Sequence, residues 1–266
     1  MAAIPAQIKH TIKTGLKRGD NPNALMAHLI ESGWPFEVSA TLFNKKHIRD
    51  FKPERDRAYY NSLAKPKIMG NEEVQILEGK RATVLQLDNF LSQDECEVII
   101  NAGKGRLEPS VTLNPEAGSG FRTSSTCHFE PGSSDVISGI DHKIIKTLGL
   151  AKQVRSESIQ IQRYQANQQY KAHYDFFMPG TDGFALNAKN GGQRSWTFMV
   201  YLSNVESGGE TYFPQLKLSV APKRGTAVVW NNLDALGTPN KRTLHAGTPV
   251  ISGEKFIITK WFREML

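Results

Sequence analysis

From Ala82 onward the chain consists of short runs of β-branched and aromatic residues broken by Gly, Pro and Asn, and no other feature limits its fold so tightly. TVLQLDNF, SIQIQRY, SWTFMVYL, TAVVWNN and FIITKWF each predict a strand. SQDECEVIINAG places Ser-x-x-Glu ahead of spaced apolar residues and predicts a capped helix. Nothing alternates strand with helix as a parallel sheet requires. The expected class is therefore mainly β with flanking helices (α+β), built as a sandwich or jelly roll.

The first eighty residues have a different texture. Ile8, Ile12 and Leu16 recur at helical spacing, Gly19, Asp20 and Pro22 interrupt them, and Ala24 to Ile30 and then Phe36 to Phe43 read as further helical stretches. The charged run Asn44 to Arg57 reads as a solvated linker or helix. The expected division is a small helical module with linker over 1–80 and a second domain over 81–266. At 266 residues and 39% hydrophobic content, one sizeable core forms without disulfides. Cys96 and Cys127 stand apart with no CxxC spacing, which argues against a zinc site and for two reduced thiols. No apolar run is long enough to cross a bilayer and the first residues lack a secretory core, so the expectation is a cytoplasmic protein with no membrane partner. The excess of 33 basic over 26 acidic residues, +7, favours acidic partners without naming one.

SIQIQRYQANQQYKAHYDFF carries His173 and Asp175 at i and i+2, which on an extended strand project from one face. An imidazole and a carboxylate so placed supply two corners of an octahedral metal site; His245, in KRTLHAGTPV, is the best third ligand. Taken alone, a polar pair on a strand edge explains HxD equally well. Lys255 adds to the metal reading, because it opens an otherwise apolar strand, GEKFIITKWFRE. A buried ammonium near a cationic metal is reasonable only if a dianion lies between them, and 2-oxoglutarate is such a dianion.

RYQANQQYKAHYDFF, GGQRSWTFMVYLSNVESGGETYFP and TLHAGTPVISGEKFIITKWFRE together resemble the catalytic core of prolyl 4-hydroxylases, with QLDNFLSQDECEVII and RTSS extending the resemblance from about Val84 to Arg263. The resemblance implies a double-stranded β-helix (jelly-roll) core, and makes 81–266 an Fe(II)/2-oxoglutarate dioxygenase domain. It implies proline hydroxylation at C4 in a peptide or protein, coupled to decarboxylation of 2-oxoglutarate to succinate and CO2. Fe(II), 2-oxoglutarate and O2 are the implied cofactors, with ascorbate as reductant. His173, Asp175 and His245 would hold iron, and Lys255, with Tyr164 and Thr211, the distal carboxylate of 2-oxoglutarate. Tyr170, Arg194, Trp261, Arg122 and Ser124 are the implied substrate contacts; Arg263 occupies a further polar position whose role is open.

Against each stands an ordinary reading: Tyr164 and Trp261 as core aromatics, Thr211 as a turn residue after Gly208 and Gly209, Arg194 as a surface cation. The Gly- and Asn-rich stretch Phe176 to Gln193 reads as a mobile loop beside the site. A nucleic-acid demethylase fits the charge but not Lys255, where such enzymes use Arg, so nucleic acid is disfavoured as a partner. A halogenase needs a small residue in place of Asp175. A free amino acid as substrate and a non-catalytic jelly-roll binding protein remain open, as do the oligomeric state and the module's role.

Overall fold

The structure is a computed structural model that describes residues 4–32, 34, 36–43, 53–111, 118, 120–130, 132–150, 155–178, 187, 191–235, 237 and 239–264. Helix α1 (Ala6–Arg18) ends at a left-handed Gly19. Helix α2 (Pro22–Glu31) begins at Asn21, whose side chain accepts from the amides of Asn23 and Ala24. A short α3 (Phe36–Ala40) follows, and Ile12, Met26, Leu29 and Phe43 close a small core of their own. Part of the charged run, 44–52, lies outside the described residues; from Pro53 the chain is helical as α4 (Pro53–Ala64). Tyr60 and Leu63 of α4 pack into the main core, and the Asn21 side chain donates to the Tyr60 hydroxyl, which ties the module to the main body.

The sheet begins with β1 (Gln75–Glu78), ahead of the boundary expected at 81, because β1 forms an antiparallel hairpin with β2 (Val84–Leu87). Next come α5 (Gln93–Lys104), β3 (Glu108–Pro109), β4 (Ser125–Phe129) and α6 (Asp135–Leu148), then β5 (Ile159–Tyr164), β6 (Tyr170–His173) and β7 (Arg194–Tyr201). They are followed by β8 (Ser207–Gly208), β9 (Thr211–Phe213), β10 (Leu218–Val220), β11 (Ala227–Asn231), β12 (His245–Gly247), β13 (Val250–Ser252) and β14 (Lys255–Arg263). One antiparallel sheet runs in the order β1, β2, β11, β7, β14, β5, β4, β3; a smaller one runs β10, β9, β12, β6. All five strands expected from sequence form, and all five lie in the larger sheet. The α5 helix starts with the anticipated capping box, Ser92 and Glu95 each bonding the other's backbone amide.

The strand opened by Lys255 is apolar at most positions because both faces of the large sheet are covered. On one side Phe198, Val200, Ile161, Ile258 and Phe262 pack with Ile99 of α5 and Ile140 and Ile144 of α6. On the other, Met199, Tyr201, Val228, Trp230 and Ile257 meet Phe213 and Val250 of the smaller sheets. Tyr164, Thr197, Lys255 and Trp261 stand on the inner side of the large sheet, while His173 and His245 come from strands β6 and β12 of the smaller one. No helix among the described residues is long and apolar enough to cross a membrane.

Candidate active site

His173 ends β6 and His245 begins β12, and the two are cross-strand partners with ring centroids 4.3 Å apart. Asp175 reaches between them, with Oδ1 3.8 Å from His173 Nε2 and Oδ2 3.8 Å from His245 Nε2. One donor atom from each lies within 4.8 Å of the others. The expectation that His173 and Asp175 share one strand needs correcting: pairing stops at His173 and Asp175 lies in the bend that follows. Two contacts pull the chain out of the sheet. The Thr197 hydroxyl donates to Asp175 Oδ2 at 2.7 Å, and the Gln193 side chain accepts from the Phe177 amide (2.6 Å) and donates to its carbonyl (2.9 Å).

Each histidine has its Nδ1 against a backbone carbonyl, Lys171 at 2.8 Å and Thr243 at 3.0 Å. A carbonyl only accepts, so the proton sits on Nδ1 and the lone pair of Nε2 faces Asp175. Burial, and then the neighbouring His245, push the His173 imidazolium down to about 3, so the ring is neutral at ordinary pH. Burial opposes ionisation of Asp175, but His245, His173, the Arg194 guanidinium and then the Thr197 hydroxyl outweigh it and hold the carboxyl below its usual range. Two imidazoles and one carboxylate gathered at one place suit Fe(II) with open positions for other ligands. Trp230 and Phe213 pack against His245, with centroids at 4.7 and 5.6 Å, and form an apolar back wall.

Lys255 is 2% exposed at the start of β14. Its ammonium lies over the rings of Tyr164 (5.1 Å) and Tyr201 (5.5 Å) and has no hydrogen-bond acceptor among the described residues. Burial drives its pKa down to about 7, a shift that the charge of Glu210 partly opposes. A buried cation with no acceptor suits an incoming carboxylate, so these residues fit 2-oxoglutarate. Tyr164 is its register partner on β5, with the hydroxyl donating to Gln162 Oε1 at 2.7 Å. Thr211 is buried nearby, where its hydroxyl accepts from Tyr201 at 2.6 Å.

The expected substrate residues form two groups. Tyr170 stacks on His173 with centroids 3.5 Å apart, and the Arg122 guanidinium lies over the Tyr170 ring at 4.8 Å, donating to Ser124 Oγ (3.2 Å) and Gln160 Oε1 (3.1 Å). Across the inner face, Arg194 lies 3.9 Å above the Trp261 ring and donates to the Asp175 carbonyl at 3.3 Å. Arg194 is not a surface cation: Glu157 accepts from its Nε at 2.7 Å and from its NH2 at 2.6 Å. Arg263 donates to the same carboxylate at 2.9 Å. Most of the stretch from Phe176 to Gln193 lies outside the described residues, but its stem is closed by the Gln193 clamp on Phe177.

Sequence reading missed Thr197, Asn232, Tyr201, Gln162 and Glu157. The signal for Thr197 was present, since it is the polar residue at an inner-face position of SWTFMVYL; Asn232 donates to it at 2.8 Å from beyond the end of β11.

The 2OG-Fe(II) oxygenase superfamily model matches residues 159–263, a span that holds all three triad residues and Lys255. The chain is 34% identical over 212 residues to probable prolyl 4-hydroxylase 4 of Arabidopsis thaliana, covering 70% of this chain and 68% of that one. It is 35% identical over 201 residues to prolyl 4-hydroxylase 13 of the same plant, covering 68% and 71%. Among solved structures, a viral collagen prolyl hydroxylase from Paramecium bursaria Chlorella virus-1, in its 2OG complex, is 36% identical with a TM-score of 0.55, covering 70% of this chain and 97% of that one. The antiparallel sheets described above are accordingly those of the double-stranded β-helix, and the chain belongs to the 2OG-Fe(II) oxygenase superfamily as a prolyl 4-hydroxylase-like dioxygenase.

Proposed function

We propose that this protein hydroxylates proline at C4 in a peptide or protein and couples that step to decarboxylation of 2-oxoglutarate to succinate and CO2, with ascorbate as reductant. The observation that carries the reading is the buried Lys255, whose ammonium lies against Gly247, two residues along β12 from His245 of the His173, Asp175 and His245 cluster. Bound Fe(II) supplies oxygen activation and the coupled decarboxylation. His173, Asp175 and His245 hold the metal, with Thr197 and the Lys171 and Thr243 carbonyls fixing the orientation of the ligands. Lys255 binds the distal carboxylate, with Tyr164 and Thr211 beside it. Tyr170 and Trp261 supply aromatic contacts to a rigid apolar proline ring, Tyr170 through its ring edge, while Arg194 and Arg122 with Ser124 bind peptide carbonyls. The wall of Trp230 and Phe213 keeps water from the back of the cavity.

An anaerobic titration tests this. Fe(II) and 2-oxoglutarate added to the protein are expected to give a visible charge-transfer band that is lost in His173→Ala and weakened in Lys255→Ala. Admitting oxygen with a proline peptide is then expected to give succinate and hydroxyproline in equal amounts. Succinate without hydroxyproline overturns the substrate; no band overturns the site.

A further inference from the structure

A cavity of about 270 Å³ lies where the N-terminal helices meet the main body. One wall is Arg18 and Asp20, from the turn between α1 and α2. The other is Phe176, the residue after Asp175, together with Asn240, Lys241 and Arg242, which lead into His245. The chain segments carrying two of the three triad residues therefore border this cavity on the main-body side.

Its charges are unequally matched. Arg18 donates to the buried Asp20 through Nε at 2.9 Å and through its terminal nitrogen, which fixes the guanidinium in place. Lys241 and Arg242 are exposed and have no acidic partner among the described residues. The Asn240 side chain holds their turn by accepting from the Arg242 amide at 3.0 Å. Asp234 also lines the cavity, so three cations stand against two carboxylates. On α1, the helix that Arg18 ends, Lys9, Lys13 and Lys17 are exposed at a spacing of four. Like charges at that spacing disfavour a helix, and an acidic partner would relieve the repulsion. The volume is below the roughly 300–1,000 Å³ of small-molecule sites, which suits a single side chain better than a nucleotide.

We propose that this cavity, with the lysine face of α1, docks an acidic side chain and its neighbours in the protein substrate, so that the N-terminal module takes part in choosing which proline is hydroxylated. The proposal rests on the proline-peptide reading above.

The test uses the full chain and two labelled peptides that share a proline core, one flanked by Glu and Asp and the other by Gln and Asn, with a proline-free acidic peptide as a third probe. Hydroxyproline kinetics and fluorescence anisotropy are recorded at low and at raised salt. For the wild type, KM is expected to be about three- to tenfold lower for the acidic peptide, with the advantage fading as salt rises. Lys241→Glu with Arg242→Glu is expected to abolish the advantage through KM rather than kcat, and Lys241→Gln with Arg242→Gln to reduce it if charge reversal impairs folding. Equal KM values in the wild type, or equal losses on both peptides in the variants, overturn the docking proposal and leave the proline chemistry standing. If neither proline peptide is hydroxylated but the proline-free acidic peptide binds the wild type and not the variants, the substrate reading fails and the docking site stands. An oligonucleotide that binds through the same residues when the acidic peptide does not overturns the proposal in favour of a nucleic-acid surface.

Discussion

Thr197 orients Asp175: its hydroxyl donates to Oδ2 at 2.7 Å and accepts from Asn232 at 2.8 Å, and both partners of the carboxylate relay are fully buried. Thr197→Val keeps the shape and removes the donor. Fe(II) affinity is expected to fall about tenfold to a hundredfold while the fold persists, as read by anaerobic metal titration beside circular dichroism. Unchanged affinity would show that Asp175 is oriented without Thr197.

Lys255 makes cosubstrate binding depend on pH. With its pKa near 7 before the dianion arrives, binding selects the ammonium, so 2-oxoglutarate affinity is expected to weaken as pH rises above 7, by up to about tenfold per unit. Calorimetry in buffers of different ionisation enthalpy should detect the proton taken up. A flat profile between pH 7 and 9 would rule this out.

The same depressed value affects stability with a definite sign. The buried ammonium is the disfavoured form, so its cost is full below pH 7 and disappears as pH approaches the ordinary lysine value of about 10.5. Lys255→Met is expected to stabilise the cosubstrate-free protein at pH 6 by on the order of a few kcal/mol, and to remove the protection that 2-oxoglutarate confers. Urea unfolding with and without the dianion checks both effects.

Glu157 accepts from Arg194 and Arg263 at once, and although burial alone would raise its pKa, these pairings hold the carboxyl below the usual range. Its stabilising contribution is therefore present above the ordinary carboxylate range and lost as pH falls through the folded value. Glu157→Ala strands two guanidinium groups and is expected to cost about 3 kcal/mol in urea unfolding at pH 7, with a smaller loss in acid.

Gly208 has φ near +77°, and a Cβ there would lie 2.3 Å from the Pro249 carbonyl oxygen. Gly208→Ala is expected to destabilise the protein by more than about 1 kcal/mol and to loosen the β8 and β13 pairing near Lys255. Thermal unfolding and 2-oxoglutarate affinity should fall together.

The five central strands of the large sheet could be read from sequence because they are rich in β-branched and aromatic residues and are bounded by Gly, Pro and Asn. Helix α6 was overlooked although Ile137, Ile140, Ile144 and Leu148 lie along one side of it, because DVISGIDHKII is rich in β-branched residues and carries Gly139. The pair strands of the smaller sheets, two to four residues long, are too short to show a period and are set by pairing across the barrel. The bend at Asp175 depends on Thr197 and Gln193, which are far along the chain, so local spacing pointed to the donor residue but not to the shape of its backbone.

Strand β14 runs unbroken through the middle of the large sheet, with Lys255 at one end and Trp261 and Arg263 toward the other. At about 3.4 Å per residue, the six steps from Lys255 to Trp261 span roughly 20 Å of rail that β5 and β7 lock along most of its length. The places proposed for the anion and for the peptide ring are thus points on a single stiff ruler, so under that proposal a change at the far end would alter the target while leaving the near end in calibration.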